Sequence, residues 1–151
     1  VYQAQVEEFH RLYGRAPSHI DGHQHMHLCT NMLMDRIIPA GENVRRSFSF
    51  WPGEKSFLNR GYRRWVDGRL NRRHGITDYF FALSQCLGGP RLARVAELAK
   101  MATVELMTHP EKTDEQACLL SDGYFQMLRG LQTGDYSQLT VAAGQRGIQA
   151  G

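Results

Sequence analysis

The stretch TDYFFALSQCLGGPRLARVAELAKMATVELMTH, residues 77–109, contains two apolar segments separated by a helical pattern. The first segment, TDYFFALSQ, is bounded by Gly75 and by Gly-Gly-Pro, and the second, TVELMTH, is short, β-branched and apolar. Between them lies PRLARVAELAK, whose Pro90 suits the first turn of a helix. Because parallel strands need a crossover long enough for a helix, this order predicts a parallel βαβ unit.

The same alternation of strands and helices extends over the rest of the chain. Strands are predicted at HIDGHQHMHL (19–28), NVRRSFSF (43–50), TDYFFALSQ (77–85), TVELMTH (103–109) and QLTVAA (138–143). Helices are predicted over 2–13, 30–41, 56–74, 90–100 and 122–131. This count of about five strands predicts a parallel α/β protein, and it is too few for a complete eight-stranded barrel of about 250 residues.

The composition is that of one soluble globular domain. The 151 residues are 42% hydrophobic and 22% charged. No apolar run approaches the roughly 20 residues that cross a bilayer, and the first ten residues do not resemble a signal peptide. Three widely spaced cysteines without a CxxC motif indicate neither a disulfide framework nor a cysteine zinc site. We therefore expect a cytoplasmic protein without a membrane span.

Six arginines crowd the segment RGYRRWVDGRLNRRHG, residues 60–75. Guanidinium groups bind phosphate oxygens in pairs, so the segment is compatible with a phosphate or nucleic-acid contact. The alternative is a solvated helix face, with the side chains at helical spacing turned to the core: Tyr62, Trp65, Val66 and Leu70. No nucleic-acid-binding motif accompanies the arginines, so the solvated face is favoured and no nucleic-acid partner is predicted.

The segment SHIDGHQHMHL, Ser18 to Leu28, places ionisable residues at every second position: His19, Asp21, His23, His25 and His27. In an extended strand these side chains share one face. With a rise of about 3.3 Å per residue and zinc–nitrogen distances of about 2.0–2.1 Å, only one or two of them can ligate one ion. The others would orient the ligands, a role that suits Asp21, or contact substrate. Satisfied polar residues lining a wet cavity are the alternative, but four histidines in nine residues favour a metal, and imidazole favours zinc.

A second signal lies at VELMTHPEK, where His109 directly follows an apolar strand. Parallel α/β proteins place their chemistry at the carboxyl ends of strands, so His109 is expected on the same rim as the end of the histidine segment. Imidazole titrates near neutral pH, which suits a general acid. A turn histidine whose bend is fixed by Pro110 is an alternative of nearly equal weight.

The stretch GRAPSHIDGHQHMH resembles the signature of the YdjC-like carbohydrate deacetylases, and VELMTHPEK is similar to a later His-Pro element of that family. GENVRRSF and TDYFFAL lie where the family has two further strands. Gly22 stands where the signature commonly has serine. The resemblance spans essentially the whole chain but only part of the family's domain. It therefore implies that residues 1–151 are the C-terminal portion of a single deacetylase domain.

The resemblance implies a metal-dependent hydrolase, with Mg²⁺ or Zn²⁺, on an irregular TIM-barrel-like α/β fold, here an incomplete barrel. Its substrate would be an N-acetylated sugar or oligosaccharide, from which it removes the acetyl group. His23 matches a metal-ligand position, and His109 matches a histidine of the active-site rim, where it and Asp21 are expected to serve catalysis. Substrate contacts are expected from His25, His27 and Arg45, with Arg46 as a neighbouring candidate.

Three alternatives stay open at this point. The family's Asp-Asp-Phe-Gly segment and a further histidine ligand do not occur in this sequence, so the chain on its own is expected to be inactive. An amidohydrolase-type metal hydrolase also begins with Asp-x-His-x-His, but it needs more histidines after the motif than His74 and His109. A non-catalytic module that binds metal or sugar is the third reading, and an exposed sheet edge would favour a homo-oligomer.

Overall fold

The computed structural model describes residues 1–51 and 53–139, and for His23, Gln24, His25 and Thr30 it describes the backbone alone. The chain divides into two compact units. Of the described residues, the first unit comprises Val1–Ser47, Ser56–Ile76 and residues 135–139. The second unit comprises Phe48–Lys55 and Thr77–Gly134.

Three helices belong to the first unit: α1 (Tyr2–Tyr13), α2 (Thr30–Met34) and α3 (Phe57–Asn71). The prediction of α1 is confirmed. This helix ends at Gly14, whose left-handed φ of 65° lets its N–H donate to the carbonyl of His10. Helix α2 is shorter than predicted. Helix α3 is confirmed, and its N-terminus is capped by Ser56, whose hydroxyl accepts a hydrogen bond from the Asn59 N–H.

The core of the first unit is small. Its buried members are Ile38, Val44, Val66 and Leu70. Val66 and Leu70 lie one turn apart on α3, as predicted, whereas Tyr62 and Trp65 are 52% and 47% exposed, so their predicted place in the core is wrong. The buried stripe of α3 is therefore narrow, and most of the helix surface is left to polar side chains.

Two predicted strands of the first unit are reduced to isolated parallel bridges. Ile20 pairs with Val44, and Asn43 pairs with Gly75. The prediction of a strand over 19–28 is otherwise wrong, because residues His23–Leu28 form a 3-10 helix. Within 43–50, likewise, only the bridges at Asn43 and Val44 are assigned to pairing. The parallel direction of these segments is as expected, but their length is not.

The second unit contains the predicted βαβ arrangement. Strand β1 (Tyr79–Ala82) pairs in parallel with β2 (Val104–Met107), with Phe81 opposite Leu106. Helix α4 (Arg91–Ala99) forms the crossover and begins directly after Pro90. Buried Phe81, Cys86 and Val95 form the core of this unit. The pattern of residues 77–109 thus predicted both the elements and their parallel direction.

Two further helices follow β2, α5 (Thr113–Leu119) and α6 (Asp122–Leu128). Helix α6 ends at Leu128 and not at the predicted Leu131, and α5 was not predicted. Of the predicted strand at 138–143, residues 140–143 lie outside the described residues, and a 3-10 helix at Tyr136–Gln138 occupies its beginning. The described ranges contain one two-stranded parallel sheet, so the α/β class is confirmed while a barrel of about five strands is not shown. No described helix is long and apolar enough to cross a membrane.

The narrow core stripe of α3 yields a first prediction. Leu70 is 2% exposed, so Leu70→Ala removes buried methyl groups and leaves a cavity, and we expect it to lower the free energy of unfolding by about 2–4 kcal/mol. Leu58→Ala on the same helix is the matched control, because Leu58 is 82% exposed and its loss should change stability by less than about 0.5 kcal/mol. Urea unfolding measures both. Equal effects would contradict the orientation of α3.

Candidate functional site

The site residues predicted from the sequence fall in both units. Asp21, His23, His25, His27 and Arg45 belong to the first unit. His109 belongs to the second unit, together with Glu115, a residue that the sequence did not single out.

His27 is the structural centre of the histidine segment. Its side chain is 2% exposed. Ring atom Nδ1 accepts a hydrogen bond of 2.8 Å from the Gly22 N–H, so Nε2 carries the proton and donates to the Arg45 carbonyl at 2.8 Å. Both nitrogens are therefore committed to the backbone. This geometry favours a structural role for His27 and lends no support to the predicted substrate contact.

Asp21 and Arg45 form an ion pair through Asp21 Oδ2 and Arg45 Nη1. Their side chains are 35% and 18% exposed. Asp21 Oδ1 also lies 3.9 Å from His27 Nδ1, which is beyond hydrogen-bond distance. The carboxylate thus holds the guanidinium of Arg45, and the Gly22 N–H rather than Asp21 orients the imidazole of His27.

The sequence predicted a metal site on the assumption that the histidines share one face of a strand. The structure contradicts that assumption, because residues His23–Leu28 are not a strand. A 3-10 helix has three residues per turn, so positions two apart along residues 23–28 do not share a face. Among the described side chains, no three histidine, cysteine or carboxylate groups lie together so as to hold an ion. Asp21 and His27 are committed to protein partners and do not fit a ligand set. The side chains of His23 and His25 lie outside the described part, and their roles remain predictions.

Gly22 makes the approach of His27 to the preceding turn feasible. A Cβ atom at position 22 would lie 2.6 Å from the backbone nitrogen of His27 and 3.0 Å from its Nδ1. Both distances are shorter than ordinary van der Waals contacts, and the first involves backbone, which cannot rotate away as a side chain can. The hydrogen bond from Gly22 to His27 therefore depends on the absence of a side chain at position 22.

His109 and Glu115 form a closely bonded pair in the second unit. The backbone N–H of His109, two residues beyond β2, donates to Glu115 Oε2 at 2.7 Å. Ring atom Nδ1 lies 3.1 Å from Glu115 Oε1, to which it donates. The Glu115 side chain is fully buried in the first turn of α5, and the His109 side chain is 30% exposed. Among the described residues Nε2 of His109 has no hydrogen-bond partner, so the pair presents one oriented imidazole nitrogen.

The charge state of Glu115 follows from its surroundings. Burial acts to raise the pKa of this carboxyl, but the hydrogen bonds from His109 and the positive charges of His109 and Lys112 outweigh it, and the pKa is lowered from its usual 4.5. The Lys112 ammonium lies 3.6 Å from Oε1. Glu115 is therefore an ionised carboxylate at neutral pH. A sequence signal existed, since acidic residues after Pro110 mark the first turn of a helix.

The chain belongs to the YdjC-like protein family, whose sequence model matches residues 2–140. It is 30% identical to a carbohydrate deacetylase of Mus musculus in an alignment of 139 positions, which covers 72% of this chain and 43% of the relative. It is 28% identical to a chitooligosaccharide deacetylase of Yersinia pestis (strain Pestoides F) in an alignment of 162 positions, gaps included, which covers 99% of this chain and 56% of the relative. The chain thus spans about half the length of these curated relatives. No solved structure matches it significantly. The family resemblance inferred from the histidine and His-Pro motifs is confirmed.

The close approach at Gly22 yields a second prediction. We expect Gly22→Ala to lower the free energy of unfolding by about 1–3 kcal/mol, because the added methyl group collides with the backbone of His27. Gly68→Ala is the matched control: apart from its chain neighbours and the backbone of its own helix, no atom lies within 4 Å of a Cβ there, and the helix interior of α3 should gain up to about 1 kcal/mol. Thermal and urea unfolding measure both changes. A stabilising Gly22→Ala would contradict the described turn.

The lowered pKa of Glu115 yields a third prediction. Because the carboxyl has a lower pKa folded than unfolded, its ionisation stabilises the fold above about pH 4.5, and this contribution is lost as pH falls through the folded pKa. Glu115→Gln cannot ionise, so its stability deficit relative to the natural protein should shrink between about pH 6 and pH 3. Glu97→Gln, which removes the same charge from a 70% exposed side chain on α4, is the control. A deficit that stays constant over this range would refute the assignment.

Proposed function

We propose that the chain forms part of a hydrolase that removes the acetyl group from an N-acetylated sugar or oligosaccharide. The relatives named carbohydrate deacetylase and chitooligosaccharide deacetylase support this substrate class. The observation that carries the proposal is the His109–Glu115 pair, because a buried carboxylate that fixes one nitrogen of a partly exposed imidazole is the arrangement used for proton transfer.

Hydrolysis of an acetamido group requires a proton at a defined step. Water adds to the amide carbonyl and gives up one proton, and the carbon–nitrogen bond then breaks only if the departing nitrogen gains a proton, since an amide anion is a very poor leaving group. In this proposal Nε2 of His109 delivers that proton to the sugar nitrogen. Glu115 holds Nδ1–H, which fixes the ring orientation and balances the charge of the protonated ring.

The remaining predicted residues keep roles in the proposal. His23 is proposed as a ligand of a divalent ion, Zn²⁺ or Mg²⁺, on the strength of the family resemblance, and His25 as a substrate contact. Arg45 is proposed to bind sugar hydroxyls, and Asp21 acts by positioning it, because the two side chains are ion-paired. His27 is assigned to the structure of the segment, since both of its nitrogens are bonded to the backbone.

Acetate release from short N-acetylglucosamine oligomers tests the proposal. Because the chain spans about half of its relatives, the assay uses the natural full-length product with added Zn²⁺ or Mg²⁺, and the 151-residue chain in parallel. We expect His109→Ala to lower kcat about 10²–10⁴-fold through loss of the proton donor. We expect Glu115→Gln to lower it about 10–100-fold through loss of ring orientation, with KM nearly unchanged.

His10→Ala is the matched control, because His10 is an exposed histidine on α1 with no proposed role. It should retain full activity and full metal binding, whereas His23→Ala should abolish specific metal binding measured by calorimetry. The deacetylase proposal fails if the folded, metal-supplemented full-length protein releases no acetate from any N-acetylated sugar. The role of His109 fails if His109→Ala retains the full rate.

A further inference from the structure

The first unit contains a cavity of about 190 Å³ whose rim is strongly basic. It is lined by the end of α2 and the residues after it, by the end of α3 and the residues after it, and by His27. Its ionisable lining side chains are four arginines and two histidines: Arg36, Arg69, Arg72, Arg73, His27 and His74. No aspartate or glutamate is among the lining residues. Three arginines of the arginine-rich segment, Arg69, Arg72 and Arg73, therefore line a cavity and do not belong only to a solvated helix face.

The four cavity arginines lack the counter-charges that other arginines of the same unit possess. Arg45 and Arg46 are ion-paired with Asp21 and Asp67. Within the described ranges, no ion pair joins any of the four cavity arginines to a carboxylate. Arg69 instead contacts the Met34 sulfur at 3.8 Å and stacks over Trp65. Guanidinium groups gathered around one cavity repel one another, and a bound anion would remove this repulsion.

His74 provides a second, independent observation. The residue is 6% exposed, and its buried Nδ1 has no hydrogen-bond partner among the described residues. Burial and the charge of Arg73 lower the pKa of His74, so the ring is neutral at neutral pH, and in the tautomer with its proton on Nε2 the Nδ1 atom presents a lone pair. Buried polar atoms are nearly always satisfied, by protein, water or a bound ligand. A ligand in this cavity that donates a hydrogen bond would satisfy Nδ1.

Arg36 has a strained backbone at the edge of the same cavity. Its φ of 53° is the one left-handed value found for a residue other than glycine in the described ranges. It directly follows Asp35, which ends α2, a place where glycine is usual. Left-handed residues with a side chain are costly and concentrate at functional sites. An arginine at this position is better explained by its side chain lining the cavity than by the turn itself.

We propose that this cavity binds inorganic phosphate, with arginine side chains donating to the phosphate oxygens and His74 Nδ1 accepting the P–OH hydrogen. The volume is below the roughly 300–1,000 Å³ of pockets for larger ligands, which suits a small oxyanion. Hydrogen phosphate retains one P–OH group at neutral pH. A phosphate monoester, whose second pKa is about 6, has lost it, and sulfate has none. The site therefore prefers inorganic phosphate to both.

Calorimetric titration of the chain with sodium phosphate at neutral pH and low ionic strength tests the proposal, since salt screens exposed charges. We expect a single site, weaker binding of glycerol phosphate and sulfate, and a loss of affinity of about tenfold or more in the Arg69→Gln/Arg72→Gln variant. Arg60→Gln/Arg64→Gln removes the same charge from exposed positions of α3 outside the cavity, and it should change affinity less than about threefold.

Three results would overturn the proposal. Equal losses in the two double variants would indicate diffuse attraction to a basic helix face, as a nucleic acid would use. Equal or tighter binding of sulfate or glycerol phosphate would exclude recognition of the P–OH group. Absence of phosphate binding by the folded chain would exclude the site altogether.

Two further measurements locate the ligand. Phosphate should shift the ring nitrogen resonances of His74 in NMR spectra and leave those of exposed His10 unchanged. Arg36→Gly relieves the left-handed strain, so we expect a higher Tm together with severalfold weaker phosphate binding. A stable Arg36→Gly variant with unchanged affinity, or phosphate binding without a shift at His74, would refute the location.

Discussion

The two hydrogen bonds of the His27 ring determine the local structure of the first unit around the histidine segment. The nitrogens of a buried imidazole are nearly always hydrogen-bonded, and here the Gly22 N–H and the Arg45 carbonyl bond the two ring nitrogens at 2.8 Å each. The parallel bridge between Ile20 and Val44 joins residues close in sequence to Gly22 and Arg45, the two partners of the ring. The ring therefore ties the turn to the neighbouring segment, and the Asp21–Arg45 ion pair forms beside it.

Local patterns predicted the second unit well because its elements obey the rules that sequence periodicity expresses. Residues 77–109 gave β1, α4 and β2 in the observed order and direction, since apolar strands and an amphipathic crossover bury the same faces in almost any context. The strand predicted over the histidine segment is wrong, because the residues that alternate there are polar. No apolar face selects an extended register there, and side-chain-to-backbone hydrogen bonds compete with strand pairing.

Of the candidate site, the sequence identified His109 but not its partner. Glu115 lies six residues further along, on helix α5, which was not predicted although acidic residues after Pro110 signal its first turn. The hydrogen bond between the two side chains depends on the turn at Pro110 rather than on any spacing rule. The cavity lined by arginines could not be predicted from local patterns either. Its members were noted as a charge-rich segment, yet only the packing of α3 separates Arg69, Arg72 and Arg73, which line the cavity, from Arg60 and Arg64, which do not.

The residue before His23 illustrates how one methyl-sized difference alters a motif. The family signature that this chain resembles commonly has serine at position 22, and on sequence grounds glycine appears a small change. In this structure any Cβ at position 22 would lie 2.6 Å from the His27 backbone nitrogen, so a serine there excludes the present approach of the turn to His27. The 3-10 helix of residues 23–28 and the burial of His27 thus depend on glycine at position 22. In this chain the hydrogen bond from the backbone N–H of residue 22 to His27, the fourth histidine of the motif, therefore requires glycine at position 22.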